Sequence, residues 1–253
     1  MEETTLAETP QGYGDFRSLP SGDGGSMSVR LETDGRGVPM VLLDRPGQLN
    51  ALNMDVIDGI REALHSAGAV LVLGSTGKKS FCSGADLDLD DPARAAVSDA
   101  LYGLYQEMRQ SNTVIIAAAD GYALGGGAQL LLASDLRIAG PGLNIRFLGL
   151  GHGLVVGAWG LPALVGRGRA AELCLTMRPV GAEEALRIGL VERLVAEALE
   201  EAVALASALL QLDPASVARV KQVAANPDPM AALIHERELN SGWNGSVARR
   251  SDV

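Results

Sequence analysis

Two glycine-rich segments hold the residues whose types and spacing could do chemistry. The first is Phe81-Cys-Ser-Gly-Ala-Asp86, between a buried strand and a helical region. The second is Asp120-Gly-Tyr-Ala-Leu-Gly-Gly-Gly-Ala-Gln129, running from a buried strand into a helix. Three successive glycines let a ligand approach the main chain closely. They also leave unpaired N–H groups at a helix N-terminus, where negative charge is favoured. One amide from each segment could clamp a thioester oxygen as it turns into an enolate. A donor of that kind contributes roughly 3–4 kcal/mol to a transition state. Glycine chemistry alone leaves other readings open: a tight turn packing a helix on a sheet, or a phosphate cradle. A P-loop fits poorly because no Gly-Lys-Ser/Thr follows. A dinucleotide turn fits poorly because Gly125-Gly-Gly is not GxGxxG and no early βαβ unit begins there.

The elements that must position these segments follow from periodicity. Val29–Thr33 and Val38–Leu43 read as a hairpin around the turn Asp34–Gly37. Met54–His65 carries Val56, Ile60 and Leu64 at helical spacing. Ala69–Leu73, Val114–Ala118 and Asp135–Ala139 are short apolar strands, with helices predicted over Ala93–Gln110 and from about Gly126 to Ser134. Ala182–Ile188 and Glu197–Leu212 make the last third helical. Strand and helix alternate, so the class is α/β with crossovers. Residues 1–26 are rich in Gly, Ser and Asp and read as a disordered tail; 27–195 form the core, and 196–253 a helical C-terminal region.

Composition narrows the function classes. The chain has 253 residues, 47% of them hydrophobic, and a net charge of −10. That charge argues against a nucleic-acid binder, which needs a basic face. Cys82 and Cys174 match no zinc or redox spacing and read as small buried groups in a reducing compartment. No metal or cofactor is expected. The sequence shows no signal peptide and no membrane span, so a cytoplasmic location is expected.

Taken together, several stretches resemble the crotonase (enoyl-CoA hydratase/isomerase) superfamily over residues 28–245. They are Arg45-Pro-Gly-Gln-Leu-Asn-Ala-Leu52, Phe81–Leu87, Ile116–Leu130, Ser134–Ala139, Leu164-Val-Gly166 and Ala182–Val191, in the family's order and spacing. The resemblance implies a repeated ββα spiral core, a helical region that drives trimerisation, and a homotrimer or dimer of trimers. It implies an acyl-CoA or acyl-carrier thioester as ligand, with amide donors at Ser83 and Gly126. It also implies a bent CoA near Asn50, Ala51, Leu52, Phe81, Ala85 and Asp86, with Gly125 beside the thioester. Lys78 and Lys79 are candidates for the CoA phosphates or are solvated turn lysines.

The same resemblance exposes a departure. Hydratases of the family use two glutamates as acid and base, and such groups contribute about 10²–10⁴-fold. The first falls at Gln129, whose amide exchanges no proton at neutral pH. The second falls at Gly149, and a carboxylate used by related isomerases falls at Gly157. His152 is the one group in that loop with a suitable pKa, either as a substitute base or as a surface residue. Arg146 could hold an anion or be solvated, and Trp159 could line the acyl pocket or fill the core. Asp86 and Asp135 are expected to hold turns and helix starts. His65 and His235 are expected to be solvated. The expected function is therefore a lyase or isomerase of acyl thioesters that keeps the amide donors and lacks the hydratase acids. The alternatives are an acyl-CoA-binding pseudo-enzyme and a structural partner subunit. A family lid helix beyond residues 236–245 is expected to be shortened.

Overall fold

The computed structural model describes residues 28–226, together with Arg17–Ser18, 233–235 and 237–238. The predicted tail and the expected lid segment lie outside the described residues, except that Arg17–Ser18 (β1) pairs antiparallel with Val29–Thr33 (β2). β2 pairs antiparallel with Pro39–Leu43 (β3) around the Asp34 turn, as the hairpin pattern predicts. Asp34 Oδ1 accepts from the amides of Arg36 and Val38 at 3.0 and 2.9 Å, which closes that turn.

From β3 onward the chain repeats one unit. Val70–Ser75 (β4), Val114–Ala119 (β6) and Leu136–Ala139 (β8) join β3 in parallel register, completing a seven-stranded sheet with Arg193–Leu194 (β11) at its edge. Each of these strands is followed by a short strand in a second sheet: Ser80–Cys82 (β5), Tyr122–Leu124 (β7) and Asn144–Arg146 (β9), with Val180–Gly181 (β10) antiparallel to β9. A helix then returns: Met54–Ser66 (α1) after β3, Asp91–Gln110 (α2) after β5, Gly126–Ala133 (α3) after β7, and Leu161–Val165 (α4) after β9. This is the ββα repeat that the resemblance implies. In the first turn the second-sheet strand shrinks to one parallel bridge, between Leu52 and Ala85.

The large sheet is buried on both faces, so its strands are apolar without alternation in type. Ile115, Ala117 and Ala119 of β6 face the layer formed by Ile57, Ile60, Leu101, Leu104 and Leu130. Val114, Ile116 and Ala118 face the other layer, where Ala198–Leu209 (α7) supplies Ala202, Val203 and Ala206 and Pro214–Ala224 (α8) supplies Val217. Full burial of an Ile or Leu at such sites contributes about 1.5–3 kcal/mol. Arg167–Thr176 (α5) and Ala182–Ile188 (α6) complete the described chain.

Helix starts follow local capping chemistry. Asn53, Asp90 and Asp213 each accept a first-turn amide of α1, α2 and α8, at 3.0, 2.9 and 2.8 Å. One buried charge anchors α8. Lys221 is 7% exposed. Its Nζ donates to the carbonyls of Met108 and Thr113 at 2.8 and 2.7 Å and pairs with Asp135 at 2.8 Å. Asp135 also accepts the amide of Ile115 at 2.8 Å, so it ties the entry of β8 to β6 rather than holding a turn or a helix start.

Candidate active site

The two glycine segments meet backbone to backbone. Gly84 has φ +92°, and a methyl group placed on it would lie 2.8 Å from the Leu124 carbonyl oxygen and 3.4 Å from the Gly126 nitrogen. Only glycine permits both the conformation and the approach. Arg45 locks the first segment from outside through a 2.8 Å ion pair with Asp86 and a 2.7 Å bond to the Ala51 carbonyl. Asn50, with φ 56°, accepts the Arg45 amide at 2.8 Å and donates to the Ser80 carbonyl at 2.8 Å.

The pairing phase decides which amides are free. Leu52 N–H donates to the Gly84 carbonyl at 2.8 Å and the Asp86 N–H donates to Leu52 at 2.9 Å. Successive peptide groups of an extended chain face opposite sides. The bridge therefore consumes the groups flanking Ala85 and turns the Ala85 N–H away from it, where Ala85 lines a cleft. The expectation for Ser83 is overturned: its N–H donates to the Leu49 carbonyl at 3.1 Å and is already occupied. The Gly126 N–H opens α3, where the Gln129 N–H donates back to the Gly125 carbonyl at 3.1 Å. The Tyr105 hydroxyl donates to the Gly126 carbonyl at 2.9 Å and so fixes the next peptide plane.

The cleft beneath these amides has a volume of about 1030 Å³. Its walls come from one stripe of α2, including Ser98, Asp99, Leu101 and Tyr102, and from the loop carrying Leu148, Leu154, Val155 and Val156. The Tyr102 hydroxyl ties the walls together through a 3.1 Å bond to the Val155 carbonyl. Gln129 stands at the floor, 4% exposed. Its Oε1 accepts from the Trp159 indole N–H at 2.9 Å and from the Gly157 amide at 3.1 Å. Trp159 in turn stacks on Tyr105 with ring centroids 6.1 Å apart. Burial raises the Tyr105 hydroxyl well above the ordinary tyrosine range, and burial pushes the Cys82 thiol up to about 12. Such a site presents amide donors to a polarised oxygen inside an apolar slot. A second, more open depression of about 690 Å³ beside Gly181–Glu184 and Leu194–Ala196 contains neither glycine segment.

The sequence profile of the enoyl-CoA hydratase/isomerase family matches residues 33–253. The chain belongs to that family. It is 35% identical over 234 residues to the probable enoyl-CoA hydratase echA6 of Mycobacterium leprae, covering 87% of this chain and 93% of that protein. Among solved structures it superposes on the enoyl-CoA hydratase of Bacillus anthracis with a TM-score of 0.79 at 28% identity, covering 87% of this chain and 92% of that one. On Pseudomonas aeruginosa DspI the TM-score is 0.78 at 30% identity, covering 88% and 98%.

Within this hydratase/isomerase-family chain the sequence-predicted residues separate into two groups. Ser83, Ala85, Gly125, Gly126, Gln129 and His152 all line the cleft. Asn50, Ala51, Leu52, Phe81 and Asp86 are buried and do not line it; their polar groups bind the scaffold, and Phe81 is core. Lys78 also stands away from the cleft lining and pairs with Glu197 at 2.7 Å. Trp159 neither lines the cleft nor fills the core: it is 44% exposed, and its indole N–H holds the Gln129 carbonyl. Arg146 donates to the Met177 carbonyl at 2.9 Å rather than presenting itself to an anion. Gly149 is not a lining residue, and a methyl group there would sit 2.6 Å from the Leu154 carbonyl oxygen. Gly157, φ +83°, would bring one to 2.4 Å from the Phe147 ring. Sequence reasoning missed the α2 wall and Tyr105. Their signal was present as the helical stripe Asp91, Arg94, Ser98, Leu101, Tyr102 and Tyr105.

Proposed function

We propose that this protein binds an acyl-CoA or acyl-pantetheine thioester, with the carbonyl oxygen held between the Ala85 and Gly126 amides, and that it does not hydrate enoyl thioesters. The observation that carries this reading is that, among the described residues, neither the Ala85 N–H nor the Gly126 N–H has a backbone partner, and both residues line an apolar cleft. Two such donors stabilise an enolate oxygen more than the ground-state carbonyl. The hydratase acids have no counterpart at the positions the resemblance assigns. Gln129 offers an amide whose oxygen is consumed, and the packing around Gly149 and Gly157 leaves no room for a side chain. Trimeric assembly is part of the proposal, and the exposed apolar side chains Leu154 and Val155 beside the cleft support it.

A second reading, lyase or isomerase turnover, is favoured by Asp99 and His152. Both line the cleft, and among the described residues neither side chain has a hydrogen-bond partner, so either is available as a base.

Titration of the full chain with saturated acyl-CoAs of increasing length, alongside crotonyl-CoA hydration followed by loss of enoyl absorbance, tests both readings. Binding without hydration is expected. Hydration at ordinary hydratase rates, or no binding at any chain length, overturns the proposal. Exchange of the acyl-CoA α-proton with deuterated solvent that is lost in Asp99→Asn or His152→Ala supports turnover.

A further inference from the structure

The cleft carries one charge that nothing else in its lining answers. Away from the Gly126 amide it follows α2 towards that helix's N-terminus, and the facing wall is apolar: Leu148, Leu154, Val155 and Val156. The α2 wall is polar instead, and it brings one guanidinium and two carboxylates to the lining, from Arg94, Asp91 and Asp99. Arg94 is already engaged: it pairs with Asp91 and donates to the Leu89 carbonyl at 2.7 Å. The carboxylate left over is that of Asp99, which has no hydrogen-bond or ion-pair partner among the described residues. Ser98 beside it also lines the cleft, and its hydroxyl is likewise unpartnered among the described residues. His152, neutral at its ordinary pKa, is the remaining group on the opposite wall that could carry charge.

Helix geometry sets how far this carboxylate stands from the thioester. A methyl group placed on Gly126 would lie 3.3 Å from the Leu101 side chain and 3.4 Å from the Tyr105 hydroxyl, so the Leu101–Tyr105 turn of α2 is level with the Gly126 amide. Asp99 precedes Gly103, the middle of that turn, by about 6 Å along the axis, and its side chain leans further towards the helix N-terminus. With the carbonyl oxygen at the Ala85 and Gly126 amides, an acyl chain running along α2 brings about its sixth carbon to Asp99, well past the carbons next to the thioester. A neutral tail there strips water from the carboxylate and returns nothing, and an anionic tail adds repulsion. An ammonium supplies the missing partner, and its three donors suit a carboxylate with a hydroxyl beside it.

We infer that the cleft selects acyl thioesters whose chain ends in a positively charged amino group about six carbons from the carbonyl, over neutral and anionic tails, with Asp99 as the specificity-determining residue. The inference rests on the thioester reading above.

The test is calorimetric titration of the full chain with 6-aminohexanoyl-CoA, 6-hydroxyhexanoyl-CoA and adipoyl-CoA. These share the carrier and differ in a tail that ends in an ammonium, a hydroxyl or a carboxylate. The ammonium is expected to bind about fivefold more tightly than the hydroxyl, and the carboxylate about fivefold more weakly. Asp99 is exposed on α2, so its replacement leaves the core packing alone. In Asp99→Asn, which keeps the size and removes the charge, the three affinities are expected to converge to within about twofold. In Asp99→Lys the order is expected to invert, which neither the net charge of the chain nor a loosened fold would produce. Equal affinities in the wild-type protein, or the wild-type order persisting in both variants, overturn the inference and leave the thioester reading standing. So does binding of plain hexanoyl-CoA with none of the three. Failure of all four ligands to bind overturns the thioester reading itself, and the inference with it.

Discussion

Replacing Lys221 with methionine probes how α8 is held, and the structure sets the size of the effect. Methionine keeps most of the stem and removes the ammonium. Four acceptors then lose a partner: the carbonyls of Met108 and Thr113, the hydroxyl of Ser111 and the carboxylate of Asp135. Breaking one side of a buried pair costs about 3–5 kcal/mol. Asp135 keeps its bond from the Ile115 amide and is 16% exposed, so the lower end, about 3 kcal/mol, applies here. For a chain of this size that is a fall in Tm of about 6–12 °C. Burial pushes the Lys221 ammonium below the ordinary lysine range, with Asp135 pulling it back. The assembled pair is therefore worth little, and the penalty is that of a stranded carboxylate. Lys221→Met combined with Asp135→Asn should accordingly recover about 1–2 kcal/mol of the loss. Urea melts of the wild type, both single variants and the double variant give the four free energies. A loss below about 1 kcal/mol in Lys221→Met, or strict additivity in the double variant, refutes the argument.

Further outcomes follow from the site. Gly84→Ala forces a side chain onto φ +92° and against the Leu124 carbonyl, so acyl-CoA binding should be lost together with about 1–3 kcal/mol of stability; calorimetry and a urea melt read the two. Gly157→Asp, which would put a carboxylate back near the cleft, should destabilise the fold through the Phe147 ring and confer no crotonyl-CoA hydration; Tm and enoyl absorbance are the readouts. Cys82 gives a pH dependence. Its folded thiol is held at about 12, above the ordinary value of 9.0, so its contribution to stability is fully present below pH 9.0 and is lost as pH rises from there towards about 12. The loss reaches about 1.4 kcal/mol at pH 10, so Cys82→Ala should flatten the fall in unfolding free energy from urea melts between pH 8 and pH 10 by that amount.

The large sheet and its helices were legible because burial dictates composition. Val114–Ala119 is apolar throughout, since both its faces are covered, and Val56, Ile60 and Leu64 recur at the spacing of one helix face. The second sheet was not legible. β5, β7 and β9 have three residues each, too short for any period to register, and glycines border β7 on both sides. The chemistry-bearing segments were visible as clustered glycines with a Gln at the end. Which amide is free was not visible, because the answer depends on pairing phase with Leu52, more than thirty residues upstream of Ala85. A one-residue error there exchanges the occupied amide for the open one. The lock on Gln129 was equally hidden, since Trp159 acts through an edge of its ring that no spacing rule reports.

The amides proposed to hold the oxygen, those of Ala85 and Gly126, belong to the main chain, and this divides the proposed site by how readily mutation can reach it. Almost any side chain at position 85 would leave its N–H in place, so the capacity to grip an oxygen is insulated from single-residue change. Proton-transfer equipment has no such protection, because one codon alters it. A lineage on this scaffold can therefore shed or exchange its acids while the grip persists, and the reactions it catalyses can diverge faster than the class of molecule it holds.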